Sequence, residues 1–160
     1  MSSVDVRSAP RNARTLNGLR TNAFAAVVIL LIEFGLGVGV NLYATLPASD
    51  SGKGLLPAFG RAVTGGPIVL TVHALLGTIL LITGLAAVVR ASLARRPLLI
   101  SLTSSALLAL IVAWFAGATF VGDQANGASL AMASATGLAL LCYALILFVV
   151  PGTAAGDRQR

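Results

Sequence analysis

Charge is scarce in this chain, and the kinds of side chain that carry chemistry are scarcer. Only 10% of its 160 residues are Asp, Glu, Lys or Arg, with five acids against eleven bases, one histidine and one cysteine. A single cysteine, Cys142, excludes an internal disulfide. One histidine, one cysteine and one acid at different depths exclude a closed tetrahedral zinc site. No nucleophile stands with a base and an orienting group, and no glycine-rich phosphate loop precedes a helix, so hydrolase and transferase chemistry have no foothold. A non-enzymatic protein is the expectation.

What the chain has in quantity is apolar sequence. Hydrophobic residues make up 57% of it, gathered into four runs at about 23–46, 67–90, 98–121 and 127–150. Each run exceeds the ~20 residues that a helix rising ~1.5 Å per residue needs to cross ~30 Å of hydrocarbon. The predicted fold is therefore an all-α membrane protein, a four-transmembrane-helix antiparallel bundle occupying residues 23–150. The first run is too long for the apolar segment of a secretory signal and no clean cleavage site follows it, so it is expected to be retained.

Basic residues set the expected orientation. Arg7, Arg11, Arg14 and Arg20 precede the first run, Arg90, Arg95 and Arg96 follow the second, and Arg158 and Arg160 end the chain. The first connection holds only Lys53 and Arg61, and the third holds none. Positive segments stay inside, which predicts an integral plasma (inner) membrane protein with both termini cytoplasmic. Residues 1–22 are expected to form a disordered Arg-rich tail against the anionic inner leaflet, and 151–160 a short second tail. The arginines flank membrane runs without interleaved aromatics, so the +6 net charge reflects topology and not a nucleic-acid partner. The lipid bilayer is the expected partner, with a homo-oligomer or a larger membrane complex open.

The first connection, 47–66, is long enough to hold structure. Leu55, Leu56, Phe59 and Val63 recur at helical spacing, predicting a short amphipathic helix at the outer surface that either anchors there or covers an opening in the bundle. Within the runs, Gly35, Gly37 and Gly39 on the first and Gly77 and Gly84 on the second are places where backbones can approach closely, since small residues favour helix association in lipid.

Glu33 is the costliest residue in the runs. An acid at the centre of a membrane helix costs about 2.5–3.5 kcal/mol on insertion scales, so it is expected to face protein or water. Counted from residue 23 it lies near mid-membrane, where Thr78, Thr83, Ser105 and Tyr143 are within about two turns and are candidates to share its proton. His73 counts out nearer the outer surface, level with Asn41, Trp114, Met132 and Ser134. That layering separates Glu33 from His73 by about 10 Å, a gap for water to bridge, with Gly37 and Asn41 extending the stripe outward. A ligand or proton site of Glu33, Asn41, His73 and Trp114 follows. No cofactor is expected, the alternative being haem b held by His73 with Met132 as second ligand.

In span count and in carrying one membrane-embedded acid in its first helix, Glu33 within Ile32-Glu33-Phe34-Gly35-Leu36-Gly37, the chain resembles the small multidrug resistance transporters. The resemblance covers those two features alone and implies proton-coupled transport. The stretch around Glu33 differs from that family's motif, the first outer connection is longer, and the arginine bias selects one orientation. Three functions are therefore carried forward: an accessory, assembly or interaction subunit, which needs only packing explanations; a proton-coupled carrier of a small or lipophilic solute using Glu33; and a haem-binding electron carrier using His73.

The arginine distribution makes a direct prediction. In intact cells, a cysteine introduced by Gly52→Cys should react with an impermeant thiol reagent, and one introduced by Arg95→Cys should not. Labelling at 95 and protection at 52 would invert the topology.

Overall fold

The computed structural model describes residues 8–43, 55–65, 67–123 and 126–150. It is helical throughout: α1 (Ser8–Tyr43), α2 (Leu55–Thr64), α3 (Ile68–Ala94), α4 (Pro97–Asp123) and α5 (Asn126–Val149). Four of these contain segments long and apolar enough to cross a membrane: Asn12–Val40, Ile68–Ala94, Pro97–Val121 and Asn126–Val149. α1 packs on α3 and α5, and α4 on α3 and α5, closing a ring of four, while α2 sits across α3 and α4.

The sizes of the side chains explain the packing. Ala23, Ala26, Ala87, Ala91, Ala106 and Ala139 are fully buried, whereas Phe24, Ile82, Leu108 and Phe148 face outward, Phe148 with 89% of its surface open. A soluble protein buries its large apolar groups; here they point away and the small ones line the seams. Helices apolar on every side, joined through small residues, are the arrangement that hydrocarbon solvent favours. Gly84 is the tightest such seam. A Cβ there would lie 3.1 Å from Leu107 Cδ1 and from Leu110 Cδ1, and 3.3 Å from the Tyr143 hydroxyl.

Glycines at 35, 39 and 77 meet nothing within 4 Å of an added Cβ, so the expected Gly35/Gly39 approach is not what joins α1 to its neighbours. α1 meets α3 instead along Gly18, Asn22, Glu33 and Gly37. Arg90 lies against Gly18, the Asn22 side-chain amide donates to the Thr83 carbonyl at 3.1 Å, and Glu33 meets His73. As numbering rises on α1 it falls on α3.

One end of α1 differs from expectation. The segment 1–22, expected to be a disordered tail, is helical from Ser8 onward, and residues 1–7 lie outside the described residues. Its alanine, leucine and arginine content favours helix, and extending a nucleated helix costs far less than starting one. Tertiary contacts add to this: Leu19 is buried in the main core, and the Arg20 guanidinium donates to the Val150 carbonyl at 2.5 Å, capping the carboxyl end of α5 where orphan carbonyls attract a cation. At the other end α1 is described as far as Tyr43, and 44–46, expected to be helical, lie outside the described residues.

The connections are short where they can be seen. α3 ends on Arg95 in the left-handed region (φ 52°, ψ 34°), whose N–H bonds the Ser92 carbonyl at 3.1 Å, and α4 starts two residues later at Pro97. Proline at a first helical position gives up no needed donor. Pro67 precedes α3 in an extended conformation, and its carbonyl accepts from the N–H groups of Leu70 and Thr71.

The contrast between glycines is testable. Gly84→Val should destabilise by about 1–3 kcal/mol, as overpacking of a filled core does, read as a lower thermal midpoint in detergent. Gly35→Ala should leave the midpoint unchanged, and equal effects at both positions would contradict the packing described.

Candidate functional site

The core of the ring is divided. A large apolar cluster runs from Leu19 to Leu30 on α1 and includes Leu80, Leu110, Tyr143 and Ile146; a small one, Val40, Leu70 and Val121, lies toward the α2 end. Between them opens a cavity of about 90 Å³. On α1 the residues Leu30, Glu33, Gly37 and Val40 form its wall at helical spacing, and on α3 Leu70, His73, Gly77 and Leu80 do the same. α4 adds Trp114 and Gly117, α5 adds Met132 and Thr136, and α2 adds Phe59.

Glu33 and His73 meet directly. His73 Nδ1 lies 2.5 Å from Glu33 Oε2, with Glu33 only 6% exposed and the imidazole partly buried. The two side chains are in contact by distance without forming a hydrogen bond. Among the described residues neither His73 Nδ1 nor Glu33 Oε1, both buried, has a hydrogen-bond partner. The expected gap of about 10 Å between these residues is thus overturned. Its source is the level assigned to the inner boundary. Counting depth from the inner ends of the runs makes residues 23 and 90 level, yet Arg90 lies beside Gly18; five residues of offset on α1 amount to about 7.5 Å, most of the error.

The hydroxyls expected to share a proton with Glu33 do other things. Thr78 bonds the Ala74 carbonyl at 2.9 Å and Thr83 the Ile79 carbonyl at 2.8 Å, each on its own helix four residues back. Ser105 is exposed. Among the described residues the Tyr143 hydroxyl, buried beside Gly84, has no hydrogen-bond partner, and Tyr143 is not among the residues that line the cavity with Glu33. Thr136 likewise turns back to the Met132 carbonyl at 2.8 Å.

Of the other expected site residues, Trp114 and Met132 are brought to the cavity, and Ser134 faces outward. The Asn41 side chain lies outside the described residues. Gly37 makes room for the imidazole: a Cβ there would stand 3.4 Å from His73 Cε1 and 3.8 Å from Met132 Cε. Trp114 meets Phe59 of α2 with ring centroids 5.2 Å apart at 44°, so the amphipathic helix read from the first connection closes over one side of the cavity. Phe59 belongs to the spacing from which an anchor or a cover is expected, but nothing in that spacing indicates that it touches Trp114.

The arrangement joins an acid and a base in an otherwise apolar wall, with an aromatic cover and one unmet acceptor. Comparison with known proteins finds no matching family model, no similar curated protein and no matching solved structure.

Because Glu33 is buried and His73 partly so, removing one leaves the other uncompensated. Glu33→Leu and His73→Leu should each destabilise, and the double variant should recover part of the loss, with a coupling of about 0.5–3 kcal/mol in a thermodynamic cycle. Additive effects would show that the two side chains do not interact.

Proposed function

We propose that the chain is a multi-pass membrane protein of the plasma (inner) membrane, an antiparallel bundle with both termini cytoplasmic, that binds a small solute and couples its passage to a proton held by Glu33 and His73. The arginine distribution supports the orientation. It places the cavity and α2 toward the outer face. The observation that carries the functional reading is the Glu33–His73 contact on the wall of an apolar cavity. An acid and a base that touch inside a bundle can exchange a proton according to what else occupies the space, and intramembrane acids and histidines form such relays.

An accessory or interaction subunit would need the buried alanines and Gly84, but not a chargeable pair beside an open space. The haem alternative is less well supported. An engineered 150 Å³ cavity holds one benzene ring, so a macrocycle on His73 and Met132 needs the helices to part.

Trp114 is the only tryptophan in the chain and lines the cavity, which makes it a reporter for the pair. Its emission in the purified protein should change on acidification and stay flat in Glu33→Gln and His73→Gln. A pH-insensitive wild type, or an unaltered response in both variants, would defeat the proposal.

A further inference from the structure

We infer that the solute is a small protonated amine bearing at least one N–H, and that each one bound releases a proton from the Glu33–His73 pair. The inference rests on the proton-linked reading above and adds the chemistry of what is bound.

Glu33 Oε1 is a buried acceptor without a donor, on a side chain more than nine-tenths buried that lines the cavity. An unmet buried acceptor is costly, and an occupant that supplies a donor removes the cost. The remaining wall narrows the choice. Among the described residues that line the cavity there is no Lys or Arg, and the titratable groups are Glu33 from α1 and His73 from α3 alone. α2, α4 and α5 present Phe59, Trp114, Met132 and Thr136, none of which titrates in the ordinary range. Two of these are aromatic rings in contact, and ring faces attract a cation in a desolvated site.

Charge balance supplies the coupling. With the cavity empty of solute, a proton carried by the imidazole in contact with it balances the carboxylate's charge. An ammonium group that donates to Oε1 brings the same single positive charge, and a second one beside it in an apolar wall is strongly disfavoured. The proton on His73 therefore leaves to solvent as R–NH3+ enters, the site stays neutral, and no covalent bond changes. A neutral donor such as an alcohol has no charge with which to displace the proton. A quaternary ammonium has charge but no donor for Oε1. Volume sets the size: 90 Å³ is about three-fifths of the space that holds benzene, room for about four non-hydrogen atoms.

The test uses the full-length purified protein in a weakly buffered detergent solution, with propylammonium chloride, 1-propanol and tetramethylammonium chloride as probes. Propylammonium should release about one proton per chain, saturably, with a parallel change in Trp114 emission, and the other two should do neither. Glu33→Gln, with its unliganded emission spectrum confirming an intact fold, should release none. Saturable binding of 1-propanol without proton release would overturn the amine assignment while leaving a solute site in place. Proton release by tetramethylammonium equal to that by propylammonium would remove the requirement for a donor and overturn it too. Silence with all three probes overturns the inference as well, and the acidification response of Trp114 in the absence of any probe then decides separately whether the proton-linked reading stands.

Discussion

Hydrocarbon does not tolerate an isolated acid, and the rest of this structure is arranged around that intolerance. Glu33 lies inside a segment long and apolar enough to cross a membrane, and in hydrocarbon a bare acid is costly. Its contact with His73 ties α1 to α3 at one register, and Gly37 admits the ring to that position. A slip of one residue would turn the acid by about 100° from its partner. Apolar packing along the same seam is permissive by comparison, because one alanine against another is much like the next. The polar pair supplies the discrimination that the alanines lack.

The same pair explains why the core is broken in two. Leu30, Leu80 and Leu110 close the space from one side and Val40, Leu70 and Val121 from the other. Between them α1 and α3 present Glu33, Gly37, His73 and Gly77, and the two glycines leave the space unfilled. The cavity is thus a by-product of the residues that hold the helices in register, and α2 covers it through Phe59 on Trp114. Register, cavity and cover are consequences of one choice of side chains.

Much of this is legible in the residues before any coordinates. The four apolar runs, the amphipathic spacing of Leu55, Leu56, Phe59 and Val63, and the improbability of Glu33 and His73 in such surroundings are all properties of single segments. Their meeting is a property of two segments, and depth counting fails there. The apolar run begins at residue 23 because Arg20 is charged, but Arg20 sits beside the end of α5 and the helix continues to Ser8. A boundary drawn by polarity is therefore not a boundary of packing. The threonines mislead for a related reason: Thr78 and Thr83 satisfy their hydroxyls on their own helices, which no inter-helix distance reveals. Gly35 and Gly39 have the spacing of a packing motif and Gly84 has none, yet Gly84 is the one enclosed, since enclosure depends on which face the partner occupies.

The separation of Glu33 and His73 along the chain also has a history. A ribosome delivers α1 well before α3, so the acid enters the insertion machinery while its base is still unmade. For that interval α1 carries Glu33 without the partner that it meets only when α3 arrives. The two-residue turn at Arg95 then ties α4 closely behind α3. Assembly is thereby ordered: in a product ending before His73, Glu33 lacks the partner against which the finished bundle buries it.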